Sequence, residues 1–243
     1  MLKFGIPNPD WLPGLPISKH FKIFMPGESE GEWIGRMYTP VSPLNQKGTI
    51  DFVIKCYPQT EEYPEGGKMG QYLLTKNVGD KLRMEGPMGR LTYLGNGVIN
   101  RMRKEDARFT KVVLLGGGSG LTPLYSFLNA IYLAKDPAIT YCHLIYSNKT
   151  EADMLMREEL DAINSDASAP HLRVTHTLTR ESPEKNFPDN VLRGRINIEM
   201  LQSLQVPAPG EDVIFIGCGP QAFNASNKEL LLAAGYDENQ IFP

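Results

Sequence analysis

Residues 111–134, KVVLLGGGSGLTPLYSFLNAIYLA, restrict the possible folds more than any other stretch of the chain. The run KVVLLG is apolar without alternation, the pattern of a strand covered on both faces. It breaks at once into the glycine-rich GGGSG and resumes as an amphipathic helical pattern. Strand, flexible turn and helix in that order form the opening of a βαβ unit. The alternation continues: TYCHLIYS, HLRVTHTL and DVIFIGC read as strands, and ADMLMREELDAI, INIEMLQSL and PQAFNASNKELLLAA as helices. Strands that alternate with helices pair in parallel, so this half is expected to be a doubly wound α/β sheet with helices on both faces. In such sheets ligands sit at the carboxyl ends of the strands. GGGSG follows the strand at 111–116, and GCGP closes the strand at 212–218.

The first hundred residues have a different texture. FKIFM (21–25), IGRMYTPV (34–41), TIDFVIKCY (49–57), KLRMEG (81–86) and RLTYLG (90–95) are short runs rich in β-branched and aromatic residues, punctuated by Gly, Pro and Asn. Their close spacing predicts a small antiparallel β-barrel or sandwich. One short helix is expected over 66–76, where Met69, Tyr72 and Leu73 fall at near-helical spacing. The polar, basic VINRMRKEDARFT (98–110) reads as a linker. The expected organisation is a β domain over 1–97, a linker over 98–110 and an α/β domain over 111–243.

With 41% hydrophobic and 22% charged residues among 243, both domains have the apolar material for a core. A net charge of −3 gives no bulk electrostatic pull toward nucleic acid or anionic lipid. The three cysteines, Cys56, Cys142 and Cys218, form no CxxC pair, which argues against structural zinc and a Cys-ligated cluster. Their odd number fits a reducing, cytoplasmic compartment. No apolar run of the roughly 18 residues needed for a spanning helix is present, so membrane association is expected only through a segment outside these residues.

Glycines at 116–118 and 120 allow positive φ and close backbone approach. The helix that follows offers free N–H groups to a phosphate. Ser119 or Thr122 is a candidate cap, and Pro123 suits the first helical turn. The spacing Gly118-x-Gly120-x-x-Pro123 departs from the GxGxxG dinucleotide fingerprint. Read alone, the loop is either a phosphate cradle or a ligand-free glycine turn, and the strand–turn–helix context favours the first. Cys218-Gly219-Pro220 is likewise either a flat approach to a planar ligand or a buried strand-end cysteine. The four histidines, His20, His143, His171 and His176, fall on expected strands and read as structural. RMYTPVS (36–42) suits neither a buried strand nor a turn. It puts a permanent cation two residues from an aromatic ring and stops the strand at Pro40.

RMYTPVS, GGKM (66–69), GPMG (86–89), GGGSGLTP (116–123) and CGP (218–220) occur in that order, beside LPGLPISKHFKI, DFVIKCY and SNKTEADMLMREEL. Together they resemble the NADH–cytochrome b5 reductase family of ferredoxin-reductase-like flavoproteins, and the related flavin domain of nitrate reductase. The likeness runs over nearly the whole chain. It implies an N-terminal antiparallel β-barrel that binds FAD, then a doubly wound domain that binds NADH or NADPH. It also implies hydride transfer from NAD(P)H to FAD and single electrons passed to cytochrome b5 or a similar haem protein.

Residue by residue, the resemblance implies Arg36 on the FAD pyrophosphate, Tyr38 at the flavin and ribityl chain, and Thr39 near the reactive nitrogen. Val53, Ile54, Lys55 and Tyr57 match the family's second FAD-contacting strand. Gly67, Lys68, Met69 and Gly70 match the loop and helix start beneath the pyrophosphate. Thr122 resembles a threonine that faces the flavin, and Gly118, Gly120 and Pro123 the pyridine-nucleotide loop. Cys218, Gly219 and Pro220 resemble the motif that borders the nicotinamide, so Thr39 and Cys218 are the expected catalytic residues. Thr179 and Arg180 fall where the family meets the adenosine ribose. Lys55, Lys68 and Lys111 are candidates for docking an acidic haem protein.

The match departs from the family in four places. Gly70 stands where the family has Ser or Thr, so weaker FAD retention is expected. Thr179 stands where NADH-specific relatives carry a carboxylate, with Arg180 beside it and Arg195 a further cation, so appreciable use of NADPH is expected. The amino end is about one strand shorter than the family pattern, which predicts a barrel lacking its first strand and a bare edge unless another segment or chain covers it. The chain ends at Ile241-Phe242-Pro243, one or two residues short of the family's aromatic end. The alternatives are a detached flavin domain of a nitrate-reductase-like enzyme, and a reductase-fold module that has lost FAD and acts as a non-catalytic partner.

Overall fold

The structure is a computed structural model and describes residues 1–61, 63–102 and 104–242. The chain divides into two compact units, Met1–Arg90 and Leu91–Pro243.

In the first unit β1 (Leu2–Gly5) pairs antiparallel with β4 (Thr49–Phe52). Strand β2 (His20–Pro26) lies between β3 (Trp33–Tyr38) and β5 (Arg83–Met88), again antiparallel. These two sheets and helix α1 (Lys68–Leu74) share one core of Ile23, Ile50, Phe52, Met69 and Leu73, with Leu2, Phe4, Tyr38 and Ile54 packed against it. Ile23 and Phe52 are wholly buried, each worth about 2–3 kcal/mol. The amino end itself forms a strand against β4. Residues 2–5 lie along β4 with Leu2 opposite Phe52 and Phe4 opposite Ile50, and Lys3 Nζ meets Asp51 Oδ2 at 3.2 Å. The strand expected over 49–57 stops at Phe52, because the residues after it leave the sheet for the start of α1.

The second unit opens with an antiparallel sheet, β6 (Leu91–Gly95), β7 (Val98–Arg101) and β8 (Ala107–Arg108). This differs from the expected linker at 98–110. The β6–β7 turn is Asn96-Gly97, both at positive φ (+51° and +72°), the pair that tight hairpins favour. Ile99 and Phe109 are buried beneath the basic residues that gave the segment its polar look. The unit boundary therefore falls at Arg90, ahead of the sheet.

The rest of the second unit is the expected parallel sheet. It contains β9 (Lys111–Gly117), β10 (Tyr141–Asn148), β11 (Leu172–Leu178), β12 (Val191–Arg193), β13 (Val213–Cys218) and β14 (Ile241–Phe242), in spatial order β12-β11-β10-β9-β13-β14. The helices are α2 (Leu121–Ala134), α3 (Arg157–Ser165), α4 (Ile198–Ser203) and α5 (Gln221–Ala233). In α2, Leu121, Leu124, Leu128 and Ile131 recur at helical spacing and are all buried. On another face, Val113, Leu115 and Phe215 of β9 and β13 pack with Leu201 of α4 and Leu231 of α5. Among the described residues no helix is long and apolar enough to cross a membrane.

Candidate functional site

In the first unit the residues after β3 are stapled to β4. Val41 N–H donates to Asp51 O at 2.9 Å, and Asp51 N–H donates to Ser42 Oγ at 3.1 Å. Thr39, Pro40 and Val41 are buried there. Arg36 stays exposed. Its guanidinium donates to the Gly35 carbonyl and has no carboxylate partner among the described residues. Burial pushes the Tyr38 phenol up, while the Arg36 guanidinium pulls it the other way. That coupling fits two side chains on one face of a strand.

The segment 53–57 is then carried onto α1 by Gly67 N–H, which donates to Tyr57 O at 2.8 Å. Ile54, Tyr38 and Met69, three of the residues expected at the flavin, meet at one core. Helix α1 begins at Gly67 with no side-chain cap and no acidic residue in its first turn. The N–H groups of Lys68, Met69 and Gly70 thus lack intrahelical acceptors. Gly70 has a steric reason to be glycine. It is buried, and a Cβ there would lie 3.2 Å from Cys56 Cα. Neither Ser42 nor Cys56 was legible as part of this site from the sequence.

In the second unit the two glycine loops touch. Strands β9 and β13 are parallel neighbours, with Cys218 opposite Gly116. A Cβ on Gly120 would lie 2.2 Å from Cys218 O and 2.7 Å from Gly219 N, so only glycine fits. The Phe223 ring of α5 sits against both loops. A Cβ would come within 3.0 Å of it from Gly117 and within 2.6 Å from Gly219. Gly118 is different: its φ is +54° and a Cβ there would meet open space. Buried Tyr146 fixes this loop by donating its hydroxyl to Gly118 O at 3.0 Å, and it accepts Leu155 N–H at 3.3 Å. Tyr146 and Phe223 carried no motif signal.

Helix α2 starts at Gly120 without a side-chain cap, so neither Ser119 nor Thr122 caps it. No acidic residue occupies its first turn, which leaves a dipole end and free N–H groups for an anion. Thr122 is buried and Pro123 lies in the first turn, as its lack of an N–H favours. Burial pushes the Cys218 thiol up, so it is a neutral thiol near pH 7.

At the carboxyl edge of the sheet, Thr179 donates its N–H and hydroxyl to Asn148 O at 3.0 and 3.2 Å, and Arg180 N–H donates to Lys149 O at 2.8 Å. Thr179 and Arg180 are exposed. His143 is held inside the sheet. His143 bonds Thr175 Oγ1 at 2.8 Å and Tyr141 OH at 3.0 Å, and burial pushes it down to about 4. Of the candidate docking lysines, Lys68 pairs with Glu28 at 3.2 Å and Glu65 at 3.5 Å, and Lys111 pairs with Asp212 at 3.2 Å. Among the described residues no cluster of His, Cys, Asp and Glu is placed to hold a metal ion.

Residues 1–93 match the oxidoreductase FAD-binding domain family and residues 114–229 the oxidoreductase NAD-binding domain family. NADH-cytochrome b5 reductase 2 of Danio rerio is 34% identical over 248 residues, 99% of this chain and 77% of that one. The chain belongs to the NADH–cytochrome b5 reductase family. Nitrate reductase [NADH] 1 of Zea mays is 35% identical over 225 residues, covering 90% of this chain and 35% of that enzyme. The solved cytochrome b5 reductase domain of Ulva prolifera nitrate reductase matches with a TM-score of 0.87 at 29% identity, covering 99% of this chain and 89% of that one.

The residues present fit the two cofactors of a cytochrome b5 reductase. The first unit offers a guanidinium with no carboxylate partner among the described residues, an uncapped helix start and a glycine cradle beside half-buried Tyr38, the donor set a pyrophosphate and a ring require. The second offers an open glycine at 118 before an uncapped helix, with CGP packed against it.

Proposed function

We propose that this protein takes a hydride from NADH onto FAD and delivers single electrons to a haem acceptor of the cytochrome b5 kind. The observation that carries this reading is the backbone contact between GGGSG and CGP at the ends of β9 and β13, where Gly120 admits no side chain. Such a contact builds a flat, side-chain-free surface next to a helix N-terminus, which suits a pyridine nucleotide. The flavin, when bound, supplies the step from two-electron to one-electron chemistry.

The chain's own residues bind and orient. Arg36 and the N–H groups at the start of α1 neutralise the FAD pyrophosphate. Tyr38 supplies a half-buried ring for the flavin side, and Thr39, locked by the Val41 and Ser42 bonds to Asp51, offers its hydroxyl at a fixed place. Val53, Ile54, Lys55 and Tyr57 continue that wall, and Gly67 holds it to α1. In the second unit the 118–123 loop takes the nucleotide phosphates and Cys218, Gly219 and Pro220 border the nicotinamide. Cys218 acts as a neutral thiol that packs and polarises, not as a nucleophile.

The test is spectroscopic. Purified protein should show a flavin absorbance spectrum that bleaches on anaerobic addition of NADH and recovers on addition of oxidised cytochrome b5. A colourless protein that takes up no FAD would sink the reading. Transfer to the cytochrome should slow with added salt if the docking is electrostatic. Of the candidate lysines, Lys68 and Lys111 should matter little there, because exposed lysines already in ion pairs have weak further pull.

A further inference from the structure

Asn224 stands in the first turn of α5, directly after Phe223, and belongs to none of the motifs legible in the sequence. Its side-chain Nδ2 donates to the carbonyl of Gly219 at 3.2 Å. The orientation of the amide follows from that acceptor, since a carbonyl oxygen can only receive. The bond matters because of what Pro220 lacks. The Gly219–Pro220 peptide has no N–H, so its carbonyl is the one polar handle by which that peptide plane can be held. The same turn of α5 presses on the loop from a second side: a Cβ on Gly219 would lie 2.6 Å from the Phe223 ring. Two consecutive residues of α5 thus hold CGP, one through a ring and one through a hydrogen bond.

The other end of the amide is left unsatisfied. Asn224 Oδ1 is buried and meets no donor among the described residues. Asn224 lines a small gap between α5 and the sheet together with apolar Leu115, Phe215, Phe223 and Leu231. The other polar side chains there are engaged elsewhere: Asn227 Nδ2 donates to Phe223 O at 2.9 Å, and Lys228 pairs with Glu238. An apolar side chain of similar size would strand no acceptor, and leucine is a better helix former than asparagine. The packing of α5 therefore gives little reason for an amide at 224. The bond to Gly219 supplies one.

We propose that Asn224 is a positioning residue for hydride transfer from NADH. By fixing the Gly219 carbonyl it sets the plane of the loop against which the nicotinamide lies. The inference rests on reading the second unit as the pyridine-nucleotide site with CGP at the nicotinamide. On that reading the 118–123 loop takes the phosphates, so affinity and ring orientation are set by different residues. Loss of the Asn224 bond then slows the chemical step and leaves binding of NADH nearly intact.

The test is single-turnover flavin reduction in the FAD-loaded full chain over a range of NADH concentrations, repeated with NADH deuterated at the transferred position. Asn224→Leu removes the donor and the stranded acceptor together. Asn224→Asp keeps the shape and removes the donor. In both, the limiting rate should fall by about tenfold or more, equivalent to about 1.4 kcal/mol of barrier, with an isotope effect no smaller than the parent's. The NADH concentration giving half that rate should change by less than about threefold, because uniform binding is untouched. The Tm of Asn224→Leu should be unchanged or higher, an outcome that a merely structural bond does not give. A limiting rate within about twofold of the parent in either variant overturns the proposal, because a lost positioning bond is worth more than that. A slowed rate matched by an equal loss of affinity, with a lowered Tm in Asn224→Leu, overturns it too. Parent flavin left oxidised by NADH would instead overturn the underlying reading, and this inference with it.

Discussion

Gly120→Ala is the sharpest test of how the second unit builds its nucleotide surface. Gly120 has an ordinary φ of −68°, so alanine meets no backbone strain. The obstacle is purely steric: the new methyl would start 2.2 Å from Cys218 O, 2.5 Å from Cys218 C and 2.7 Å from Gly219 N. All three are backbone atoms that no rotamer change can move. Ordinary carbon contacts lie near 3.5–4.0 Å, so the two loops must separate by roughly 1 Å. Overpacking of this kind costs about 1–3 kcal/mol, and a displacement near 1 Å at a binding surface can lower kcat/KM by about a hundredfold. Gly118→Ala is the matched control. It meets open space at a φ of +54°, so it should cost only the left-handed penalty of about 1–2 kcal/mol without parting the loops. Stopped-flow reduction of bound flavin by NADH, with thermal unfolding alongside, measures both. The expected outcome is a much larger kinetic loss for Gly120→Ala than for Gly118→Ala, with FAD retained in both. If Gly120→Ala keeps its NADH kinetics within twofold and its Tm unchanged, the claim that this glycine sets the contact with CGP is wrong.

Tyr146→Phe removes the hydroxyl that joins Gly118 O to Leu155 N–H, which should lower stability by about 1–3 kcal/mol in urea unfolding and raise KM for NADH more than it lowers kcat. Gly70→Ser adds a hydroxyl at the start of α1 but brings a Cβ to 3.2 Å from Cys56 Cα, so FAD binding measured by fluorescence should not tighten, and Tm should fall. His143 is buried and neutral, pushed down to about 4 by burial and by Arg173. The unfolded chain therefore binds that proton first as pH falls below about 6.5, and up to about 3 kcal/mol of stability is lost on approach to pH 4. In urea titrations at pH 7 and 4.5, His143→Gln should lose distinctly less on acidification than the parent protein.

The α/β half was legible because each buried strand of its sheet interior is a long apolar run followed by a recognisable helix. Strand β1 was not, because LKFG is too short to show a period and gains its meaning only from β4, some fifty residues later. The strands inside 98–110, β7 and β8, were missed for a different reason. The buried residues of that stretch, Ile99 and Phe109, are outnumbered by exposed charges, so composition spoke for a linker while the turn signal Asn96-Gly97 lay just outside the segment. A local turn pair was the better guide there than the average polarity of the stretch.

The site was legible as a set of glycines but not as a set of contacts. The motif spacing placed Gly117, Gly118, Gly120 and Gly219 without saying that they are glycine for different reasons. Gly118 answers to its own backbone, Gly120 to the Cys218 carbonyl, and Gly117 and Gly219 to one ring, Phe223, more than a hundred residues from the first of them. The same holds in the other unit, where Gly70 is explained by Cys56 and Ser42 by Asp51. Except at Gly118, each explanation is a pair of residues, and a linear motif records only one member. It follows that these glycines should not be interchangeable with those of relatives one at a time. A hydroxyl or methyl tolerated at 70 in another chain is tolerated against whatever stands at its own position 56, so transplanting either residue without the other tests the clash and not the function.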